Sequence, residues 1–174
     1  MDVDLAIVGA GLAGAALARA ARGLSVALLA DEAAVPAPQG FDSRVYAITP
    51  GNAAFLGSLG AWPPQATPVH AMRVFGDDGR SLLAFDAYRA GVPELAWIAE
   101  DGALQRALRA SLEDAEQVRI VAPGRLERLE VAPDRARLQL RGGRTLDARL
   151  VVGADGARSL VREQTAIAVT DTAY

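Results

Sequence analysis

The chain opens on a short apolar run, Val3 to Val8, bounded by glycine and too brief for a helix, which predicts a buried strand. Gly9-Ala10-Gly11-Leu12-Ala13-Gly14 follows at once. Ala15 to Arg22 is rich in alanine and leucine, both strong helix formers, and Gly23 stands where a helix stops. Ser25 to Ala30 reads as a second buried strand, closed by Asp31-Glu32. Strand, glycine turn, helix and strand together take about 30 residues, the length of a βαβ unit.

Beyond that unit the pattern changes several times. Residues 33–50 hold Pro36, Pro38, Gly40 and Pro50 and are expected to form an extended loop. Asn52 to Leu59 predicts a short helix ending at Gly60. Arg73 to Phe75 and Ser81 to Phe85 flank Gly76-Asp77-Asp78-Gly79, a hairpin signal. Asp101 to Leu112 places apolar residues at 104, 107, 108 and 112, a helical period, with Asp101 as its expected cap. Arg125 to Ala148 alternates as strands do, with Gly142-Gly143 as a hairpin turn, so an antiparallel meander is expected here. Leu150-Val151-Val152 reads as a short buried strand running into Gly153-Ala154-Asp155-Gly156, and Arg158 to Gln164 as another helix. Three segments result: 1–70, the βαβ unit and loop; 71–95, a hairpin; and 96–174, a return to the first domain.

Composition then removes whole classes of chemistry. Half the residues are hydrophobic (51%) and 22% are charged, which supports a packed core. There is no cysteine, one histidine (His70), and all 18 basic residues are arginine. Disulfides, thiolate metal sites, a histidine cluster, a Schiff-base lysine and a P-loop are therefore excluded, and no metal site is expected. A net charge of −3 supplies no basic footprint for nucleic acid. Residues 3–18 are apolar with an Ala-x-Ala pattern, but the acidic flank Met1-Asp2-Val3-Asp4 does not suit a signal peptide. Arg19 and Arg22 interrupt the run short of the roughly 20 residues a membrane span needs. A cytoplasmic cofactor binder is what remains.

The glycine segment carries that expectation. Gly9 permits a tight turn, Gly11 lets a pyrophosphate approach the backbone, and Gly14 lets the helix pack close to the strand. The helix N-terminus then faces the phosphates. An acid after the second strand accepts from the adenosine ribose; Asp31 is the first choice and Glu32 the second. The bland alternative is a glycine-rich turn with no ligand, and the motif alone does not separate FAD from NAD. Arg44, in the proline-bounded loop, suits either a diphosphate or solvent. Asp155-Gly156 reads as a plain turn or as a ligand-facing strand end. His70 has no evident partner and is assigned a structural role, Trp62, Trp97 and Phe85 are assigned to the core, and Arg135, Arg137, Arg141 and Arg144 to a solvated face.

Phe41-Asp42-Ser43-Arg44-Val45-Tyr46-Ala47-Ile48 with Leu59-Gly60-Ala61-Trp62 resembles the flavin-dependent aromatic hydroxylases of ubiquinone biosynthesis, within the para-hydroxybenzoate hydroxylase-like family. Gly153-Ala154-Asp155-Gly156-Ala157-Arg158-Ser159-Leu160-Val161-Arg162 is similar to a second motif of that family, with Ser159 and Arg162 at its last fixed positions. Residues 98–108 are similar to a third stretch, in which Gln105 takes the place of a glutamine near the cofactor; Asp101 and Gly102 depart from it, and an incidentally exposed glutamine fits equally well.

The resemblance spans the chain and implies an α/β, Rossmann-like FAD-binding domain with a parallel sheet, an antiparallel meander and the start of a substrate domain. It implies FAD, with NAD(P)H as electron donor, and places Asp155 near the FAD, where it helps with the nicotinamide. It further implies hydroxylation of a polyprenylated phenol by O2, and transient contact with the inner membrane. The family's later Gly-Asp-Ala-Ala-His-type motif does not occur in these residues, so an N-terminal piece of a longer enzyme is expected, and no catalytic acid or base is named in this stretch. Apolar edges left by a cut sheet predict self-association or a place in a ubiquinone-biosynthesis complex. Two other readings stand beside this one: a different flavoprotein oxidoreductase of the same fold, such as a reductase or halogenase, and a non-catalytic, truncated nucleotide-binding domain. An NAD-dependent dehydrogenase has no use for the segment 153–162.

Overall fold

The structure, a computed structural model, describes residues 2–31, 42–80, 82–170 and 172. In chain order the elements are β1 (Asp2–Val8), α1 (Leu12–Ala20), β2 (Val26–Leu29), β3 (Val45–Ile48), α2 (Pro50–Ser58), β4 (Thr67–Val69), β5 (Ala71–Phe75) and β6 (Leu82–Asp86). They continue with α3 (Ala87–Ala90), β7 (Ala96–Glu100), α4 (Asp101–Glu113), β8 (Val118–Val121), β9 (Leu126–Val131), β10 (Ala136–Leu140), β11 (Thr145–Gly153) and α5 (Leu160–Gln164). The chain divides into two compact units, 1–35 with 111–174, and 36–110. In the second unit 36–70 and 96–110 are joined because β3 and β4 both pair with β7.

The first unit holds a six-stranded sheet in the order β8-β2-β1-β11-β10-β9. β8, β2, β1 and β11 run parallel, and β11, β10 and β9 form the antiparallel meander. The expected α/β fold is therefore the one observed. β2 is buried at every position and β1 over Leu5–Val8, as parallel strands covered on both faces must be. On β10, buried Ala136, Leu138 and Leu140 alternate with the exposed Arg137 and half-buried Gln139, so one face of the meander joins the core. Arg137 forms a two-pronged ion pair with Asp147 of β11 (2.7 and 3.0 Å) on the solvated side, where the sequence places its arginines. Gly142 and Gly143 turn the β10–β11 hairpin with φ of 85° and 80°, values open to glycine and strained for other residues.

Several expectations need correction. The 33–50 loop contains a strand, β3, which pairs antiparallel with β7 from Val45↔Glu100 to Ile48↔Trp97. Prolines mark the loop around it, while the strand's partner lies about fifty residues away, beyond the reach of a local pattern. Leu150-Val151-Val152 is not a separate buried strand but the end of β11, which pairs with β10 along its first half and with β1 along most of its length. Leu150 is 58% exposed. Phe85 is not a core residue: it lies on the two-stranded β5–β6 ribbon, which buries little, and is 49% exposed. Trp62 and Trp97 are half-buried and meet edge to face, with ring centroids 5.5 Å apart. His70 is exposed, and its Nδ1 lies 3.1 Å from the Pro93 carbonyl. β8, unread in the sequence, forms the sheet edge beside β2.

Leu138 is fully buried at the centre of the meander's inner face. Leu138→Ala is expected to destabilise the chain by about 2–5 kcal/mol, read from the shift in urea midpoint.

Candidate functional site

The carboxyl ends of β1, β2 and β11 lie side by side, with Val8 paired to Leu29 on one flank and to Gly153 on the other. Open α/β sheets place their ligands outside this edge. Gly9 leaves β1 with φ 105°, a left-handed value that suits glycine, and its N–H donates to the Leu29 carbonyl (3.1 Å). A side chain at Gly9 would strike the Ala154 carbonyl group, coming within 2.7 Å of its carbon. A side chain at Gly14 would collide with the Gly9 carbonyl group and sit 3.3 Å from Ala154 Cβ. Both glycines are therefore demanded by close backbone approach. Gly11 differs: its φ is an ordinary −70°, it is exposed, and nothing lies within 4 Å of the position its Cβ would take. Glycine at 11 is not required by the protein's own packing, and the open space above it fits a bound group.

Helix α1 starts at Leu12, inside the motif and earlier than the sequence predicts. The N–H groups of Leu12, Ala13 and Gly14 precede the first helical hydrogen bond, Ala15 N–H to Gly11 O (2.9 Å). No acidic side chain stands in the first turn and Gly11 offers no side-chain cap, so the positive end of the helix is left for an anion. Asp31 is exposed just past β2, behind Ala30, whose N–H donates to Val121 O (3.0 Å) and whose carbonyl accepts from Gly124 N–H (2.7 Å). Glu32 lies outside the described residues.

Asp155 follows β11 at the same edge. One carboxylate oxygen accepts from Ser159 Oγ (2.6 Å), and the other from the N–H groups of Leu160 (2.7 Å) and Val161 (3.2 Å). Partial burial raises its pKa, but the hydrogen bonds from Ser159 and from the backbone outweigh that and hold the carboxyl below the usual carboxylate range. Ser159 Oγ in turn accepts from Arg162 N–H (3.0 Å), and Arg162 Nη2 donates to Ala157 O (2.7 Å). Each fixed side chain of 153–162 thus ties the turn to itself. Asp155 thereby joins the end of β11 to the start of α5.

Within the second unit Arg44 and Gln105 are brought together through a third residue. Asp101 Oδ2 accepts from Gln105 Nε2 (2.7 Å) and lies 3.7 Å from Arg44 Nη1. The Asp101 side chain is 12% exposed and that of Arg44 71%, so the guanidinium keeps most of its surface free. Asp101 is not the cap the sequence predicts. That role falls to Asp42, whose Oδ2 accepts the Gly102 N–H at the start of α4 (2.9 Å) and whose Oδ1 accepts the Arg44 N–H (2.9 Å). These two N–H groups, Arg44's first, hold the Asp42 carboxyl below its usual range. Sequence reasoning assigned neither Asp42 nor Asp101 to the site. The only signal was Asp42's place two residues before Arg44.

Among the described residues no group of three or more acidic or histidine side chains is placed to hold a metal, and no helix is long and apolar enough to cross a membrane. A largely parallel sheet with a glycine cradle at the exit of its first strand defines a dinucleotide-binding α/β domain. The chain belongs to the FAD-binding domain family, whose sequence profile matches residues 2–174. It is 36% identical over 173 residues to 3-demethoxyubiquinol 3-hydroxylase of Escherichia coli (strain K12), covering 95% of this chain and 44% of that protein. It is 32% identical to ubiquinone hydroxylase UbiL of Rhodospirillum rubrum, over 98% of this chain and 41% of the relative. Its fold matches that of PqsL, a probable FAD-dependent monooxygenase from Pseudomonas aeruginosa, with a TM-score of 0.76, 23% identity, and coverage of 100% of this chain and 48% of PqsL. The chain thus spans less than half the length of these proteins.

The depressed Asp155 pKa has a definite sign. Its contribution to stability is fully present above the ordinary carboxylate value of about 4 and is lost as pH falls through the lower folded value. Asp155→Asn is expected to lower the urea midpoint at pH 7, with the gap from the parent chain narrowing as pH falls below about 4.

Proposed function

We propose that this chain is the FAD-binding portion of a flavin-dependent monooxygenase that hydroxylates a polyprenylated phenol in ubiquinone biosynthesis, with NAD(P)H as electron donor and O2 as co-substrate. The observation that carries the cofactor assignment is the glycine cradle: Gly9 and Gly14 are filled by the protein's own backbone, while Gly11 opens on free space at an unneutralised helix N-terminus. The reaction class rests on the two ubiquinone hydroxylases that align with nearly the whole chain.

In this reading the α1 N-terminus holds the pyrophosphate and Asp31, or Glu32, accepts from the ribose. Arg44 and Gln105 are cofactor-binding residues, with Asp101 orienting both. Asp155 acts by holding the turn against which the glycine loop is seated. FAD, when bound, supplies the redox chemistry of the hydroxylation; the chain's own residues bind and orient it. The site calls for no catalytic histidine, cysteine or lysine. The proposed setting is cytoplasmic, with contact at the inner membrane where a prenylated substrate resides.

Parallel titrations with FAD and NAD test the assignment, and selective FAD binding is expected. Gly11→Val is expected to weaken FAD binding about tenfold or more while leaving the far-UV spectrum and urea midpoint nearly unchanged, because no protein atom occupies the new side chain's space. Equal affinity for FAD in parent and G11V chains overturns the cradle assignment. Arg44→Ala is expected to weaken FAD about three- to tenfold, as loss of a charge-assisted contact to a phosphate does.

A further inference from the structure

The second unit contains a cavity that no part of the cofactor assignment uses. It measures about 450 Å³ and is lined by Ala71, Arg73, Ala84, Phe85, Asp86, Arg89, Ala90 and Leu95. In the β5–β6 ribbon Ala71 lies opposite Asp86, and Arg73 opposite Ala84. Directly opposed residues and their neighbours two positions along share a face, so these four form one patch. α3 and Leu95 supply the remaining lining. Asp86 caps α3 by accepting the Arg89 N–H (2.9 Å), and Leu95 is pinned to β4 by its N–H to the Val69 carbonyl (2.8 Å). The frame is therefore held by one side-chain cap and one backbone hydrogen bond.

Side-chain size explains the hollow. Alanine at 71, 84 and 90 stands where a larger apolar residue would fill the space. The lining also carries charge, on the exposed Arg73, Asp86 and Arg89. Among the described residues neither Arg73 nor Arg89 has a carboxylate partner, whereas Arg44, Arg128, Arg135, Arg137 and Arg149 each do. Asp86 supplies the lining's one negative charge and has one oxygen engaged as a cap. One positive charge is left in excess, beside the alanine and leucine part of the wall.

We propose that this cavity is a binding site for a small monocarboxylate with a compact apolar body, held by the Arg73 and Arg89 guanidiniums. The planar guanidinium fork matches a carboxylate. A dianion such as phosphate exceeds the excess charge and makes no use of the alanine and leucine surface. The volume is that of an ordinary small-molecule pocket.

The test uses the 174-residue chain, with cyclohexanecarboxylate as probe, the isosteric cyclohexanecarboxamide as neutral control, and amide NMR spectra as readout. Expected are saturable shifts confined to residues 71–73 and 84–95 at millimolar probe, with the amide at least about tenfold weaker. Arg73→Gln and Arg89→Gln are each expected to weaken the carboxylate about tenfold. Ala84→Leu is expected to abolish binding while the spectrum stays dispersed, which separates a filled cavity from a lost fold. No shifts at tens of millimolar probe, equal binding of the amide, shifts mapping elsewhere, or unchanged affinity in both arginine variants overturns the proposal.

Discussion

Three stretches of backbone meet at the exit of β1 with almost nothing between them. Gly9 packs on the Ala154 carbonyl, Gly14 packs on the Gly9 carbonyl, and Gly153 brings β11 within 3.0 Å of Val161 measured from where a Cβ would stand. The contact is fixed from both sides, since Gly9 N–H donates to Leu29 O and Ala154 N–H donates to Val8 O (2.8 Å). A methyl group at Gly9 or Gly14 has nowhere to go in a packed interior. The direction of α1, the opening above Gly11 and the seat of the Asp155 turn all follow from this approach.

Within each unit the carboxylates serve the backbone. Asp155 accepts from Ser159 and from two N–H groups of α5, Asp42 accepts from Arg44 and Gly102, and Asp4 accepts from both the N–H (3.0 Å) and Oγ (2.7 Å) of Ser25. Each of these carboxyls titrates below its ordinary value for that reason. Their negative charge is spent on turns and helix starts instead of being aimed at a ligand. The α1 N-terminus and the largely exposed Arg44 guanidinium stay available to an anion. A glycine loop so poor in titrating side chains is suited to holding a cofactor that brings its own reactivity.

The parts of this protein that rest on short-range rules are legible along the chain. The βαβ opening, the Gly76-Asp77-Asp78-Gly79 and Gly142-Gly143 hairpins and the α2 helix are readable because period, turn glycines and caps act within a few residues. Gly9 and Gly14 were readable for the same reason, since a glycine turn between a buried strand and a helix has few other uses. Tertiary structure alone decided what lies far apart in the chain. β3 became a strand because β7 pairs with it, β11 became one strand with two partners, and Asp42 came to cap a helix sixty residues on. Asp101 joined Arg44 to Gln105, and Phe85 stayed exposed because its ribbon has two strands and little against its outer face. Propensity reaches only along the local chain, whereas pairing between distant segments is settled by which surfaces the folded core brings together.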